Sequence, residues 1–421
     1  MSTPNFKLTK FACYTAYFTM SSIFCVPPLL FSTFREMYGV SYTLLGTLVL
    51  INFCTQLGVD LLFTAFGKHF PIRWIVRMMP LITACGLLTY ALVPTLFPQN
   101  AYFGLALGTV IFSVSAGLSE VLLSPTIAAI PSDTPQRDMS LLHSLYAFGV
   151  LTMVILSTVF FRMFGTEHWA YLFGFLALLP LAAAVFFMLS PMPELGEATS
   201  VRSGSREFVG RAKGITLCVL CIFFGSCAEN AMGNWISTYA EQLLGIDKAV
   251  GDIFGVAMFA LLLGLARIGY ARFGKNISRV LLVGMLGAAA CYLVVALSSN
   301  ALPAFLACVL TGLFVSMLWP GTLIMMEEKI PHAGVTAFAL MAASGDLGAS
   351  VAPQLVGVLI DRVSVSSLAG RIGEKFNIAA EEVGLRAGML VSALFPLIGA
   401  GVVLIAMRLF GKRKRKQNEI P

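Results

Sequence analysis

The chain has 421 residues, of which 58% are hydrophobic and only 12% charged. A soluble domain carries roughly a quarter charged residues, so there is too little polar surface to coat a water-soluble globule, and lipid must replace water around much of the chain. The net charge of +7 would suit an acidic partner such as nucleic acid, but the basic residues are scattered through loops between apolar runs, which excludes that partner.

Crossing the hydrocarbon core takes about 20 apolar residues. In chain order, runs of that length occupy 11–34, 42–66, 74–95, 102–130, 139–163 and 169–190, then 214–240, 249–271, 278–298, 302–326, 334–360 and 387–410. The pattern predicts an all-α membrane protein of twelve spans. Lys7 and Lys10 lead into a full-length span rather than a short apolar core with a cleavage site, so no cleavable signal peptide is expected. Segment 191–213 holds Pro191, Pro193, Glu194, Glu197, Arg202, Arg206, Glu207, Arg211 and Lys213. It is the longest interruption on its side of the membrane and reads as a linker. The expected organisation is a six-helix half over 1–190, a linker over 191–213, and a second half over 214–421 that ends in a basic tail.

With the N-terminus inside, about three-quarters of the 28 lysines and arginines fall in inner segments, Arg267 among them, and the opposite topology inverts the ratio. Both termini are therefore expected in the cytoplasm, with Lys412–Lys416 beside anionic headgroups. All nine cysteines lie within the apolar runs. Cys218 and Cys221 have a redox spacing but sit mid-span with no βαβ context, so reduced packing thiols are expected.

The halves resemble each other weakly. Phe34-Arg-Glu36-Met-Tyr-Gly39 is similar to Tyr239-Ala-Glu241-Gln-Leu-Leu-Gly245, Ala65-Phe-Gly-Lys68 to Arg272-Phe-Gly-Lys275, and Gly117…Pro125 to Gly312…Pro320. Three matches in one order, at similar offsets, point to duplication of a six-span unit about an axis along the membrane normal.

An ionisable group inside a span costs several kcal/mol, which makes each one a functional candidate. Four carboxylates lie well inside: Asp60 in the second span, Glu120 in the fourth, Glu229 in the seventh and Asp346 in the eleventh. No Lys or Arg is placed equally deep. Such acids carry protons near neutral pH, which suits a proton-coupled carrier and argues against an anionic substrate that needs a buried cation.

Glu120, ahead of Ser124-Pro125, is a candidate for proton or substrate binding. Glu229 opens Glu229-Asn230-Ala-Met-Gly-Asn234-Trp235, where Asn230 and Asn234 share a face at i, i+4. That mixture suits a hydroxylated ligand, with the Trp235 indole stacking on a sugar ring; polar contact between helices is the alternative. Asp346 lies in Ser344-Gly-Asp346-Leu-Gly348, where the glycines permit close helix approach or unwinding, so proton, cation and gating roles all stay open. Trp319-Pro320 puts an aromatic beside a kink, as a cavity wall or as packing. His143 and Tyr146 in the fifth span are candidates for a relay or for substrate contact. Asp60, one turn after Gln56, reads as packing or gating.

Gly269 to Lys275 nearly matches a phosphate-binding loop but lacks the final Ser or Thr and the strand-to-helix context. Asn276-Ile-Ser278 fits a glycosylation acceptor in a loop expected inside. No metal-ligand cluster, cofactor motif or nucleophile–base pair stands out, so no enzymatic activity is expected.

Gly117-Leu-Ser-Glu120-Val-Leu-Leu-Ser124-Pro125 running into Met139 to Tyr146, Glu229 to Glu241, and Trp319-Pro320-Gly321 through Gly348 resemble a bacterial branch of the major facilitator superfamily, near the fucose/glucose–proton symporters. The resemblance covers essentially all twelve spans. It implies a central cavity for a monosaccharide-like solute, alternating access by rocking, and proton coupling by the fourth-span acid, which maps onto Glu120. Of the family's Asp-Arg-x-Gly-x-Arg gate motif only Arg73 is retained, and the first span has Tyr14, Tyr17, Ser21 and Ser22 but no acid. The fifth span lacks the Gly-Pro-x-x-Gly-Gly pattern of drug antiporters, which favours import over efflux.

The combined expectation is a transporter monomer in a bacterial cytoplasmic membrane, moving a neutral sugar-like solute with a proton (sodium being the other candidate ion). Proton-driven export of drug-like or cationic metabolites is the alternative.

Overall fold

The computed structural model describes residues 6–66, 70–133, 135–193, 205–298, 300–330 and 335–418. Among them the secondary structure is helical. α1 (Lys7–Leu29) and α2 (Phe31–Tyr38) form one bent pair. The bend follows Pro27-Pro28, which supply no N–H to the helix ladder. Gly39, with φ +64°, closes α2 in the left-handed conformation. α3 (Tyr42–Phe66), α4 (Ile72–Leu96), α5 (Ala101–Ala128) and α6 (Pro135–Phe164) follow, then α7 (Trp169–Leu176) and α8 (Leu178–Leu189), which share one span.

Next come α9 (Ser205–Gln242) and α10 (Lys248–Val250), which passes through a π-helical stretch at Gly251–Ala257 into α11 (Met258–Phe273). α12 (Ile277–Leu297), α13 (Ala301–Val315), α14 (Leu318–Lys329) and α15 (Val335–Ser364) precede the amphipathic α16 (Ser367–Phe376). α17 (Ala380–Ser392) and α18 (Leu394–Asn418) complete the chain. Among the described residues, 10 helical stretches are long and apolar enough to cross a membrane, and the bent α1–α2 pair makes 11. The remaining apolar helix is Phe148–Phe164 of α6. Twelve apolar elements thus stand where twelve spans were expected.

The chain divides into two compact units, Met1–Ser41 with Ile51–Ala198, and Tyr42–Leu50 with Thr199–Pro421. In lipid, helices associate through close van der Waals packing, which favours small residues at their contacts. In the first unit this is met at α4 and α5. A Cβ on Gly86 would lie 2.5 Å from the Phe112 nitrogen, and one on Gly108 would lie 2.6 Å from the Tyr90 Cα. Around that seam Phe34, Tyr90, Trp169 and Phe173 form an aromatic cluster with centroids 4.8–6.0 Å apart.

The second unit does the same with α9 and α15. A Cβ on Gly348 would lie 2.5 Å from the Phe223 carbonyl oxygen, and Ser344 Oγ, one turn earlier on the same face, donates to the Val219 carbonyl at 3.0 Å. The first turns of α3 join this unit. Thr43 and Tyr42 donate backbone N–H groups to the Asp361 carboxylate at 2.6 and 3.3 Å, so an acid meets the positive end of a helix. Gly46 lets α3 approach α15 closely, its Cβ position lying 2.9 Å from the Gln354 Cα.

Candidate functional site

In the first unit Glu120 stands on α5, within the candidate span Pro98–Ser124. Its side chain is exposed, and Tyr17 of α1 lies within its electrostatic reach. Among the described residues it has no ion-pair partner. A carboxylate left accessible in a span is tolerable only where it faces water or a polar cavity.

The same helix carries a ladder of hydroxyls. Ser113 Oγ donates to Asn52 Oδ1 at 2.6 Å, and Gln56 Nε2 donates to that same oxygen at 3.1 Å. Thr83 Oγ1 donates to Ser115 Oγ at 2.7 Å, and Ser115 Oγ donates to the Met79 carbonyl at 2.5 Å. Asn52, Gln56, Ser113 and Ser115 are all buried. They form a satisfied polar seam beside Gly117, where a Cβ would sit 3.2 Å from the Gln56 Cα. Sequence reading missed Asn52 and Ser113, since neutral polar residues carry no hydropathy penalty large enough to stand out.

In the second unit the acid is held differently. Glu229 Oε1 of α9 lies 3.7 Å from an Arg267 nitrogen on α11, with side chains 23% and 39% exposed. Arg267, in the last turn of the candidate span Lys248–Tyr270, thus brings its guanidinium beside an acid of another span, which corrects the expectation that no cation reaches as deep as the acids. Arg267 is near the end of its apolar run, as a loop residue would be, but its side chain is directed at neighbouring helices. Its Nε donates to the Ser316 carbonyl at 2.9 Å. That acceptor exists because Pro320, four residues on, has no N–H to offer it; helical hydrogen bonding breaks between α13 and α14 at that point. The Pro320 kink therefore serves as the anchor of a guanidinium.

The other candidates fall as follows. Trp319 is half-buried against Gly345, whose Cβ would collide with the indole ring. Asp346 is buried, and its carbonyl accepts from Ser350 Oγ at 2.9 Å. Asn230 Nδ2 donates to the Ser226 carbonyl at 3.1 Å and Asn234 Nδ2 to the Asn230 carbonyl at 2.8 Å, so each bonds back within its own helix. Trp235 is fully buried, edge-on to Tyr42, with Nε1 donating to the Pro353 carbonyl at 3.0 Å. This corrects the expectation of a stacking platform in the present conformation: the indole packs and offers no open face. Asp60 is half-buried near the end of α3, and Arg73 is exposed in the first turn of α4. Gly67–His69 lie outside the described residues, as do the side chains of His143 and Tyr146, whose backbone is part of α6.

A second charged cluster escaped the sequence reading. Asp252, 1% exposed, is the second residue of the π-helical stretch and accepts from Ser237 Oγ; Lys248 Nζ lies 3.7 Å from it and 3.6 Å from Glu241. The Lys248–Asp252 spacing of four residues was the available signal. It was hidden because both residues sit at the mouth of a span.

Apolar helices in two units, with an acid in a candidate span of each, are the features of a polytopic membrane protein. The family description of the major facilitator superfamily matches residues 11–353, and the chain belongs to that superfamily. Comparison with curated protein sequences gives no significant match. Among solved structures, the chain is similar to a bacterial homologue of the human lysosomal transporter Spinster, at 15% identity and a TM-score of 0.75, covering 96% of this chain and 97% of that one. It is also similar to the D-xylose–proton symporter, at 15% identity and a TM-score of 0.75, covering 92% and 96%. The E. coli fucose:proton symporter aligns at 13% identity with a TM-score of 0.57, covering 95% and 99%. At these identities the likeness speaks for the fold alone. The protein is a transporter of the superfamily, not an enzyme.

Proposed function

We propose that this transporter couples the uptake of a small, polyhydroxylated, sugar-like solute to a proton by alternating access. The observation that carries the reading is Glu120, an accessible carboxylate within a span that has no ion-pair partner among the described residues. A carboxyl group in that position exchanges one proton with the aqueous phase and changes its own charge when it does so. The sugar–proton symporters among its structural neighbours support the same direction. Glu229 and Asp346 are further coupling candidates, and Asp60 and Arg73 gating candidates. Asn230, Asn234, Trp319, His143 and Tyr146 remain candidates for solute contact, and Trp235 joins them only in a conformation that releases it from Pro353.

Both termini are proposed to lie in the cytoplasm of a bacterial cell, with halves 1–190 and 214–421 joined by 191–213, following the distribution of basic residues. The neutrality expected of the solute rested on the lack of a deep cation and loses that support with Arg267. Export of cationic metabolites fits less well, because the same guanidinium repels a cation approaching Glu229.

Radiolabelled sugar uptake into proteoliposomes, with proton and sodium gradients imposed separately, tests the reading. Accumulation should follow the proton gradient and fail in Glu120→Gln. Gradient-insensitive uptake, or wild-type coupling in that variant, overturns it.

A further inference from the structure

Arg267 is held in a way that a purely structural ion pair is not. The chain contains closed pairs for comparison: Lys10 meets Asp138 at 2.5 Å, and Arg386 meets Glu382 at 3.0 Å. The Arg267–Glu229 separation of 3.7 Å lies beyond hydrogen-bonding range. A guanidinium has five N–H donors in a rigid fork, and here only Nε is engaged, by the Ser316 carbonyl. The remaining four donors make no hydrogen bond among the described residues. Side-chain exposure of 39% means that something from outside the fold can reach them, although the residue lies within a span, where a guanidinium without polar company is costly. The Ser316 anchor fixes the plane of the fork, so its free edge is preorganised rather than floppy.

A fixed, accessible, under-bonded guanidinium matches one ligand chemistry. A carboxylate presents two oxygens to the two parallel N–H groups of the fork. Charge narrows the choice further. One guanidinium balances one negative charge, so a monocarboxylate is matched when it takes the place of Glu229, whereas a phosphate ester with nearly two charges leaves an excess and is disfavoured.

We infer that Arg267 is the anion-docking residue of the solute site and that the transported solute is a monocarboxylate, within the sugar-like class a sugar acid. This rests on the proposed solute transport and specifies its substrate. The incoming carboxylate takes the free edge of the fork, while the Ser316 carbonyl keeps Nε. Glu229 is the resident competitor, loosely placed so that it can be displaced. Pro320 is then a positioning residue, acting through the carbonyl that it leaves free.

The test uses the purified full-length chain and D-glucuronate as the probe, with D-glucose as the uncharged counterpart at matched pH and ionic strength. Thermal stabilisation in detergent gives apparent affinities. D-glucuronate should stabilise the wild type and D-glucose should do so far less. Arg267→Gln should bind D-glucuronate at least about tenfold more weakly, Arg267→Lys should fall between, and Glu229→Gln should bind more tightly because the competitor is gone.

If Arg267→Gln does not fold, the opposite shifts expected of Arg267→Lys and Glu229→Gln carry the decision. Equal affinity for the two sugars, no response to D-glucuronate, or unchanged D-glucuronate affinity in the arginine variants overturns the inference. Uptake assays separate it from the transport reading. Proton-driven D-glucose uptake that survives Arg267→Gln ends the anion site and leaves transport standing. Arg267-dependent D-glucuronate binding with gradient-insensitive uptake keeps the site and ends the coupling.

Discussion

The two units hold their intramembrane acids in contrasting ways. In the first, Glu120 is accessible and has no ion-pair partner among the described residues, while the polar groups around it on α3, α4 and α5 bond to one another. In the second, Glu229 stands beside a guanidinium that is itself pinned by a backbone carbonyl. Protonation of the first acid changes the charge of its surroundings outright. Loss of charge on the second also changes what the neighbouring arginine faces, while the Ser316 carbonyl still holds that arginine in place. The two units thus carry different electrostatic arrangements, and on the proposed reading it is the first that carries the proton.

The largest expected effect breaks the comparison on the side of the first unit. Glu120→Gln should abolish gradient-driven accumulation and leave solute exchange between equal pools running, measured in the same proteoliposomes. If Glu229→Gln alone produces that phenotype, the roles of the two acids are reversed.

Next in size is the packing that fixes where the second acid stands. Gly348→Ala places a Cβ against the Phe223 backbone and should destabilise by about 1–3 kcal/mol, as overpacking does. Gly233→Ala meets only the Phe259 ring edge, at 3.8 Å, and should be close to neutral. Thermal unfolding in detergent compares the two.

A double-mutant cycle on Glu229→Gln and Arg267→Gln sharpens the contrast. Neighbouring charged residues couple by about 0.5–3 kcal/mol. The 23% and 39% exposure of this pair points to the lower end because of screening. No measurable coupling means that the two groups do not interact.

The smallest effect lies outside the spans. Lys10 and then Ser132 hold the Asp138 carboxyl below the usual carboxylate range. A depressed carboxylate contributes its stability above the ordinary value of about 3.9, and that contribution fades as pH falls through the lower folded value. Asp138→Asn should therefore melt earlier than wild type at neutral pH, and the gap should close only below about pH 4.

Trp235 and Arg267 show why part of the site was not legible. Hydropathy places Glu120 and Glu229 within apolar spans, because the cost of burying charge is written along a single helix. The direction in which a side chain points is set by helices far away in the chain. The Trp235 indole finds a carbonyl 118 residues on, and Arg267 finds one 49 residues on. One cue was local and readable: Pro320 leaves the carbonyl four residues back without a donor.

By itself the sequence determined the twelve apolar elements, the superfamily resemblance and the placement of the acids within apolar runs, since each follows from composition and period along the chain. Tertiary structure alone decided that Glu229 has an arginine beside it and Glu120 no ion-pair partner among the described residues, and that Trp235 packs. Those outcomes depend on how helices rotate against one another, which close contacts at Gly86, Gly108 and Gly348 fix and hydropathy does not encode.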